Sequence, residues 1–128
     1  MNVLDSSGWL EFFTDDKHAD IFEPIIESDE ELLVPSICFY EVFKVLNREL
    51  GKSKAIDGIA LMAKGREISV DQEIALTAAQ INAEQKLPMA DSMIYAIAQK
   101  YEAILWTLDS DFEGLSEVKY YSKNNKKS

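Results

Sequence analysis

The most apolar strand candidate in the chain is Ala103-Ile104-Leu105-Trp106-Thr107-Leu108, and it is the clearest indication of the class of fold. It is short and buried in character, and Asp109-Ser110-Asp111 follows it directly. Before it, apolar residues recur at helical spacing from about Met89 to Tyr101. A helix that leads into a buried strand is the repeating unit of a parallel sheet, because parallel strands need a crossover connection.

The same alternation extends outward in both directions. The pattern predicts strands at 3–4, 32–34, 67–70, 103–108 and 118–121. It predicts helices from Ser6 or Ser7 to Phe13, from Asp16 to about Glu27 across Pro24, from Ser36 to Leu50, and at 53–64, 71–85 and 89–101. Ser6 or Ser7 is expected to cap the first helix, and Pro35 is expected to end the second strand. Strands that alternate with helices predict an α/β domain with a mainly parallel sheet and helices on both faces.

Length and composition limit the class of protein. The chain has 128 residues, 47% of them hydrophobic, which is enough for one domain with a real core. The single cysteine, Cys38, and the single histidine, His18, exclude a disulfide framework, a cysteine-rich zinc site and a multi-histidine metal site. We expect His18 to lie on the surface. The domain should span 1–121, and the polar, lysine-rich segment 122–128 should be a disordered tail. We find no signal peptide or membrane span, so we expect a cytoplasmic protein without a membrane partner.

The charge balance is strongly acidic. Thirteen Lys and Arg face 23 Asp and Glu, for a formal net charge of −10. This balance argues against a protein that binds nucleic acid through surface charge alone. It leaves room for a metal-dependent nuclease, because divalent cations offset the charge of an acidic site.

Several acids occupy positions where chemistry is expected. Asp5 follows the first predicted strand, Asp109 follows the 103–108 strand, and Asp111 stands two residues further on. Since parallel strands end at one edge of a sheet, Asp5 and Asp109 should point to the same edge. Glu41 and Asp91 lie in helices with apolar surroundings, and either acid alone is ordinary, as a solvated residue or a first-turn acid. Together, four clustered carboxylates need a cation, and oxygen ligands suit Mg²⁺ or Mn²⁺. The reaction that this suggests is metal-assisted phosphodiester hydrolysis.

Four segments resemble the acidic motifs of one known family. They are Val3-Leu4-Asp5-Ser6-Ser7, the helix around Glu41, Pro88-Met89-Ala90-Asp91-Ser92-Met93-Ile94, and Thr107-Leu108-Asp109-Ser110-Asp111-Phe112. These segments look like the motifs of PIN-domain ribonucleases, and the length and order resemble VapC-type toxins of toxin–antitoxin pairs. The resemblance spans roughly residues 3–121, and the last two motifs are its most specific part.

The resemblance implies a fold, a site and partners. The fold would be a PIN-like three-layer α/β/α sandwich with a mainly parallel central sheet. Asp5, Glu41, Asp91 and Asp109 would be catalytic and hold the metal. Asp111 would be an accessory metal ligand, while Ser6 and Thr107 would supply hydroxyls behind the carboxylates. The partners would be an RNA of the tRNA or ribosomal class, a small cognate antitoxin and a second copy of the chain.

The chemistry predicts the products. With a divalent cation, water attacks phosphorus in line and the cation stabilises the developing charge. Hydrolysis by water leaves a 5′-phosphate and a 3′-hydroxyl, whereas attack by the RNA 2′-hydroxyl would leave a cyclic phosphate.

Two other patterns remain open. Lys44, Arg48, Lys52 and Lys54 form the densest basic stretch of the domain, which favours contact with an RNA backbone and a solvated helix end about equally. Aromatic residues at helical spacing, among them Trp9, Phe12 and Phe13, indicate core or a partner interface rather than a base-stacking surface.

Two alternative functions compete with the ribonuclease. One is a PIN-like domain that binds partners without cutting, which the complete acidic set disfavours. The other is a receiver-type or phosphatase-type α/β domain with a phosphorylated Asp. It fits poorly, because Asp-x-Asp occurs late, at Asp109 and Asp111, and not after the first strand. A short neighbouring reading frame that encodes a DNA-binding N-terminus would favour the toxin.

Overall fold

The computed structural model describes residues 1–14 and 16–123. Five strands form one sheet: β1 (Asn2–Leu4), β2 (Leu32–Pro35), β3 (Arg66–Ile68), β4 (Ile104–Thr107) and β5 (Val118–Tyr120). Their order is β3-β2-β1-β4-β5, and every neighbouring pair is parallel. The parallel sheet that the alternating pattern predicts is therefore confirmed.

In the part of the chain that the structure describes, six α-helices connect the strands. They are α1 (Ser6–Phe13), α2 (Ala19–Ile26), α3 (Ser36–Leu50), α4 (Lys52–Met62), α5 (Gln72–Gln85) and α6 (Met89–Lys100), and a short 3₁₀ turn at Ser110–Phe112 precedes β5. Helix α1 contacts α2 and α3, α3 contacts α4, and α5 contacts α6. The arrangement confirms the predicted PIN-like α/β/α sandwich.

The core lies around the central strands. Val3, Leu4, Leu33, Val34 and Leu105 are completely buried, since their strands are covered on both faces. The aromatic prediction holds for Trp9, which is 1% exposed in the core. Within the described ranges, no helix has the length and hydrophobicity that a membrane crossing requires.

The cap of the first helix differs from prediction, whereas the third helix has the predicted bounds. Asp5, not Ser6 or Ser7, caps α1, because its side chain accepts the Gly8 N–H at 3.2 Å. Pro35 ends β2 as expected and is itself the last residue of the strand, where it pairs with Ile68. Ser36 is therefore the first helical residue of α3, which has no side-chain cap.

The second helix is shorter than predicted. It begins at Ala19 rather than Asp16 and continues through Pro24 to Ile26. Pro24 removes one backbone hydrogen bond, and the buried residues Ala19, Phe22 and Ile25 hold the helix against the core.

His18 was expected at the surface, and that prediction is wrong. Its side chain is only 2% exposed, and its Nδ1 lies 3.2 Å from Oε2 of Glu11. The same oxygen accepts the His18 backbone N–H at 3.1 Å. The turn between α1 and α2 folds back on α1, a contact that the local sequence does not reveal. Of the predicted tail, Ser122 and Lys123 follow β5, and residues 124–128 lie outside the described residues.

Candidate active site

The ends of β1 and β4 bring two predicted acids to one edge of the sheet. The two strands are neighbours, with Leu4 opposite Trp106, and the Asp5 N–H donates to the Trp106 carbonyl at 3.3 Å. Asp5 therefore follows β1 at the place where the chain leaves β4 toward Asp109. The carboxyl edge of the sheet is where open α/β folds place their ligands.

Asp5 is held by several donors in a buried position. Its Oδ1 accepts from Ser7 Oγ at 2.6 Å, and its Oδ2 accepts from Thr107 Oγ1 at 2.8 Å. Asp5 is only 3% exposed to solvent. Burial raises the pKa of Asp5 to about 6, although the hydrogen bonds from Ser7, Thr107 and Gly8 act in the opposite direction. Burial thus makes the ionised form of Asp5 unfavourable, while the hydrogen bonds stabilise it.

Three other acids form the tightest cluster. Asp91 lies in the first turn of α6, and Asp109 caps the 3₁₀ turn that contains Asp111. One carboxylate oxygen from each of these three residues lies within 4.8 Å of the others. The Asp111 N–H donates to Asp109 Oδ1 at 2.9 Å, which fixes the turn that presents both side chains.

The acids repel one another, and Asp91 shows the effect most directly. Its pKa is raised to about 7, first by burial and then by the negative charges of Asp109, Asp5, Glu41 and Asp111. The other four predicted metal ligands therefore all act electrostatically on Asp91. A carboxylate in the first turn of a helix is ordinarily stabilised by the helix dipole, and here burial and repulsion outweigh that effect.

Glu41 approaches the cluster from α3. Ser6 Oγ donates to its Oε1 at 2.5 Å, so the predicted hydroxyl of Ser6 bonds this acid. Thr107, the other predicted hydroxyl, bonds Asp5 and also accepts the Asp109 N–H at 2.8 Å. The two hydroxyls thus lie behind two different carboxylates.

The donor set fits a hard divalent cation. Two oxygens on one Mg²⁺ lie at most about 4.2 Å apart, because each bond is about 2.1 Å long. The 4.8 Å spread of Asp91, Asp109 and Asp111 therefore needs only small side-chain movements. The ligands are all oxygen, and a cation relieves the repulsion that raises the pKa of Asp91.

Ser7 is a site residue that the sequence reasoning missed. Only helix capping was considered for it, but its Oγ donates to Asp5 and accepts the Leu108 N–H at 3.0 Å. The available signal was its place two residues after a strand-end acid. That spacing alone does not distinguish Ser7 from Ser6.

The predicted RNA-binding residues are spread along α3 and the start of α4. Lys44, one turn beyond Tyr40 on α3, has its Nζ 5.8 Å from the centre of that exposed ring. Arg48 forms an exposed ion pair with Glu49 at 3.1 Å. Lys52 and Lys54 begin α4, beyond the far end of α3, where Leu50 lies about 14 Å along the axis from Glu41.

The fold and site together define a class: a small α/β/α protein with a carboxylate-rich site suited to a divalent cation. A family model for the PIN domain matches residues 3–118, and the chain therefore belongs to the PIN-domain family. Members of this family are generally nucleases. Among curated proteins, no sequence matches this chain significantly.

Solved structures share the fold. A toxin–antitoxin complex from Klebsiella pneumoniae contains a chain that is 22% identical, with a TM-score of 0.81, and the match covers 95% of this chain and 99% of that one. VapC20 from Mycobacterium tuberculosis, described as a toxin that cleaves the sarcin–ricin loop, is 16% identical with a TM-score of 0.76 over 91% and 95% of the two chains. A chain of VapBC2 from Rickettsia felis, bound to promoter DNA, is 12% identical with a TM-score of 0.73 over 94% and 97%.

Proposed function

We propose that the protein is a divalent-metal-dependent endoribonuclease and the toxin of a type II toxin–antitoxin pair. The observation that supports this most is the cluster of Asp91, Asp109 and Asp111, whose carboxylate oxygens lie within 4.8 Å of one another. Asp5 and Glu41 complete the acidic site that the family resemblance implies. The cofactor would be Mg²⁺ or Mn²⁺, and the products would carry 5′-phosphate and 3′-hydroxyl ends.

Different residues of the chain would have different roles in such a reaction. Asp91, Asp109 and Asp111 would hold the cation, with Asp5 and Glu41 adding charge from the neighbouring elements. When bound, a divalent cation makes water a stronger nucleophile and stabilises the charge that develops on the phosphate. The hydroxyls of Ser6 and Thr107 keep Glu41 and Asp5 oriented, so the site needs little reorganisation as the reaction proceeds.

The proposed partners follow from the family and from its solved relatives. We propose a small antitoxin as the inhibitor, an RNA of the tRNA or ribosomal class as the substrate, and a homodimer as the assembly. The neighbours that have been solved as toxin–antitoxin complexes support the antitoxin. A groove of about 280 Å³ lined by Phe12, Phe13 and Leu46, together with Lys54 and Asp57, offers a mixed apolar and polar surface where such a partner would pack.

A variant of Asp91 tests the nuclease. We expect Asp91→Asn to reduce cleavage by more than about 100-fold while the fold persists, because the change keeps the shape and removes a ligand charge; even outer partners of a metal site cost 10–100-fold when removed. Total RNA is incubated with the purified protein and Mn²⁺ or Mg²⁺, with and without EDTA, and the product ends are determined.

Asp57→Asn is the matched control, since Asp57 is an exposed acid on α4 away from the cluster. Cleavage that persists in EDTA or in Asp91→Asn would contradict the proposed site. A cyclic phosphate at the product ends would contradict the proposed chemistry. A protein that binds the metal and cuts no RNA would favour the partner-binding alternative.

A further inference from the structure

We propose that Ser7 is a positioning residue that sets Asp5 against the Asp109 turn and thereby tunes the affinity of the site for a divalent cation. The proposal rests on the proposed function, because it concerns the same metal site. Ser7 lies in the first turn of α1, is partly buried, and is one hundred residues from the strand end that it contacts.

The hydrogen atoms at this junction can be assigned by counting. Ser7 Oγ has one hydrogen, which it donates to Asp5 Oδ1 at 2.6 Å, and Thr107 Oγ1 donates its own to Asp5 Oδ2 at 2.8 Å. The 3.3 Å contact between the two hydroxyl oxygens is therefore not a hydrogen bond while Asp5 is ionised. Each hydroxyl is left to accept, Ser7 from the Leu108 N–H and Thr107 from the Asp109 N–H.

The result is a pair of parallel relays between two elements. One runs from the Leu108 N–H through Ser7 to Asp5, at 3.0 and 2.6 Å, and the other runs from the Asp109 N–H through Thr107 to Asp5, at 2.8 and 2.8 Å. Both donors of the Thr107 relay, the Asp109 N–H and the Thr107 hydroxyl, belong to β4 and the turn that follows it. The Ser7 relay joins α1 to the residue before Asp109, so it adds a second link, beside the Thr107 relay, between Asp5 and the turn.

Helix capping does not account for this role. Asp5 itself caps α1 through the Gly8 N–H, so the Ser7 hydroxyl is not needed for the helix end. The neighbouring serine points elsewhere, since Ser6 donates to Glu41 on α3. Two consecutive hydroxyls, about 100° apart on a helix, thus support two different carboxylates of the site.

The experiment uses two readouts on the full chain. Amide hydrogen exchange is measured in the metal-free protein, and Mn²⁺ binding is measured by titration calorimetry without RNA. We expect Ser7→Ala to accelerate exchange of the Leu108 amide selectively and to weaken Mn²⁺ binding by about tenfold, the lower end of the effect of removing an outer partner of a metal site. Ser7→Cys, which nearly keeps the volume but has a weak S–H donor, should weaken Mn²⁺ binding similarly and decides the question if Ser7→Ala does not fold.

Thr14→Ala is the control, because Thr14 ends the same helix and its hydroxyl bonds only backbone carbonyls of α1. It should leave Mn²⁺ affinity unchanged. Unchanged Mn²⁺ affinity in the Ser7 variants, or faster exchange spread evenly over all amides, would overturn the positioning role. If the wild-type protein binds no Mn²⁺, both this proposal and the proposed function fail; if it binds Mn²⁺ and cuts RNA while the Ser7 variants bind equally well, only the Ser7 proposal fails.

Discussion

Asp91 has a raised pKa at a position where a helix N-terminus would ordinarily lower it. Burial and four neighbouring carboxylates raise its pKa to about 7. In the folded metal-free protein the group therefore binds a proton between pH 4 and 7 that the unfolded chain, with an ordinary aspartate, releases. The folded state loses that advantage as pH rises through 7, so the acidic site destabilises the metal-free protein most under alkaline conditions.

This sign gives a test of the electrostatics that needs no RNA. In EDTA at pH 8, we expect Asp91→Asn to raise the free energy of unfolding by about 1 kcal/mol, a figure discounted for solvent screening of a partly exposed group. At pH 5 the gain should be smaller than at pH 8 but not zero, because the folded protein holds Asp91 neutral there while an ordinary aspartate in the unfolded chain is still ionised. Urea unfolding at both pH values measures the difference, with Asp57→Asn as the control. An equal gain at pH 5 and pH 8 would show that charge repulsion is not its cause.

Elements of the fold approach each other closely at two glycines. A Cβ on Gly65, just before β3, would lie 2.8 Å from Val34 Cγ2 and 2.9 Å from the Leu32 carbonyl oxygen. The carbonyl belongs to β2 and cannot move without the strand. A Cβ on Gly58 in α4 would lie 2.9 Å from Leu46 Cδ1, which is the end of a flexible side chain.

We therefore expect different costs for the same substitution. Gly65→Ala should lower the free energy of unfolding by about 1–3 kcal/mol, the usual cost of overpacking. Gly58→Ala should cost less, because Leu46 can rotate and because alanine gains about 1 kcal/mol over glycine within a helix. Urea unfolding of the two variants makes the comparison. A larger loss for Gly58→Ala would mean that the α3–α4 contact, rather than the β2–β3 contact, is the rigid one.

At the scale of the whole molecule, the distribution of charge limits where RNA would bind. The formal net charge is −10, and the four predicted RNA-binding residues lie along α3 and at the start of α4. Lys44 is the nearest of them to Glu41 along the chain. A backbone that follows α3 away from the cut site would meet Lys44 first and Arg48 next.

Salt dependence tests this path. Each contact with a phosphate of single-stranded RNA contributes about 0.7 to the slope of log affinity against log salt. In the Asp91→Asn background, which should leave RNA intact, neutralising Lys44 and Arg48 to Gln should reduce the slope by up to about 1.4. The control neutralises Lys64 and Arg66, which lie next to the start of β3 at the opposite edge of the sheet. Equal slopes for both double variants would exclude α3 as the RNA path.

The alternating pattern predicted the parallel sheet, since the apolar run before Asp109 and the strand before Asp5 have few other ways to be buried. The same rule predicted one shared edge for those two acids, because the carboxyl ends of parallel strands coincide. The helix bounds were less predictable. Pro24 lies inside α2, where tertiary contacts outweigh local preference.

The class of fold, the shared edge of the sheet and the acids expected there could thus be predicted from the pattern of residues alone. It took the tertiary structure to show that Ser6 hydrogen-bonds to Glu41 while Ser7 hydrogen-bonds to Asp5 and the β4 turn, and that His18 is buried. The physical reason is distance along the chain. Periodicity reports which face of an element is buried, whereas these contacts join residues that are adjacent only after separate elements have packed together.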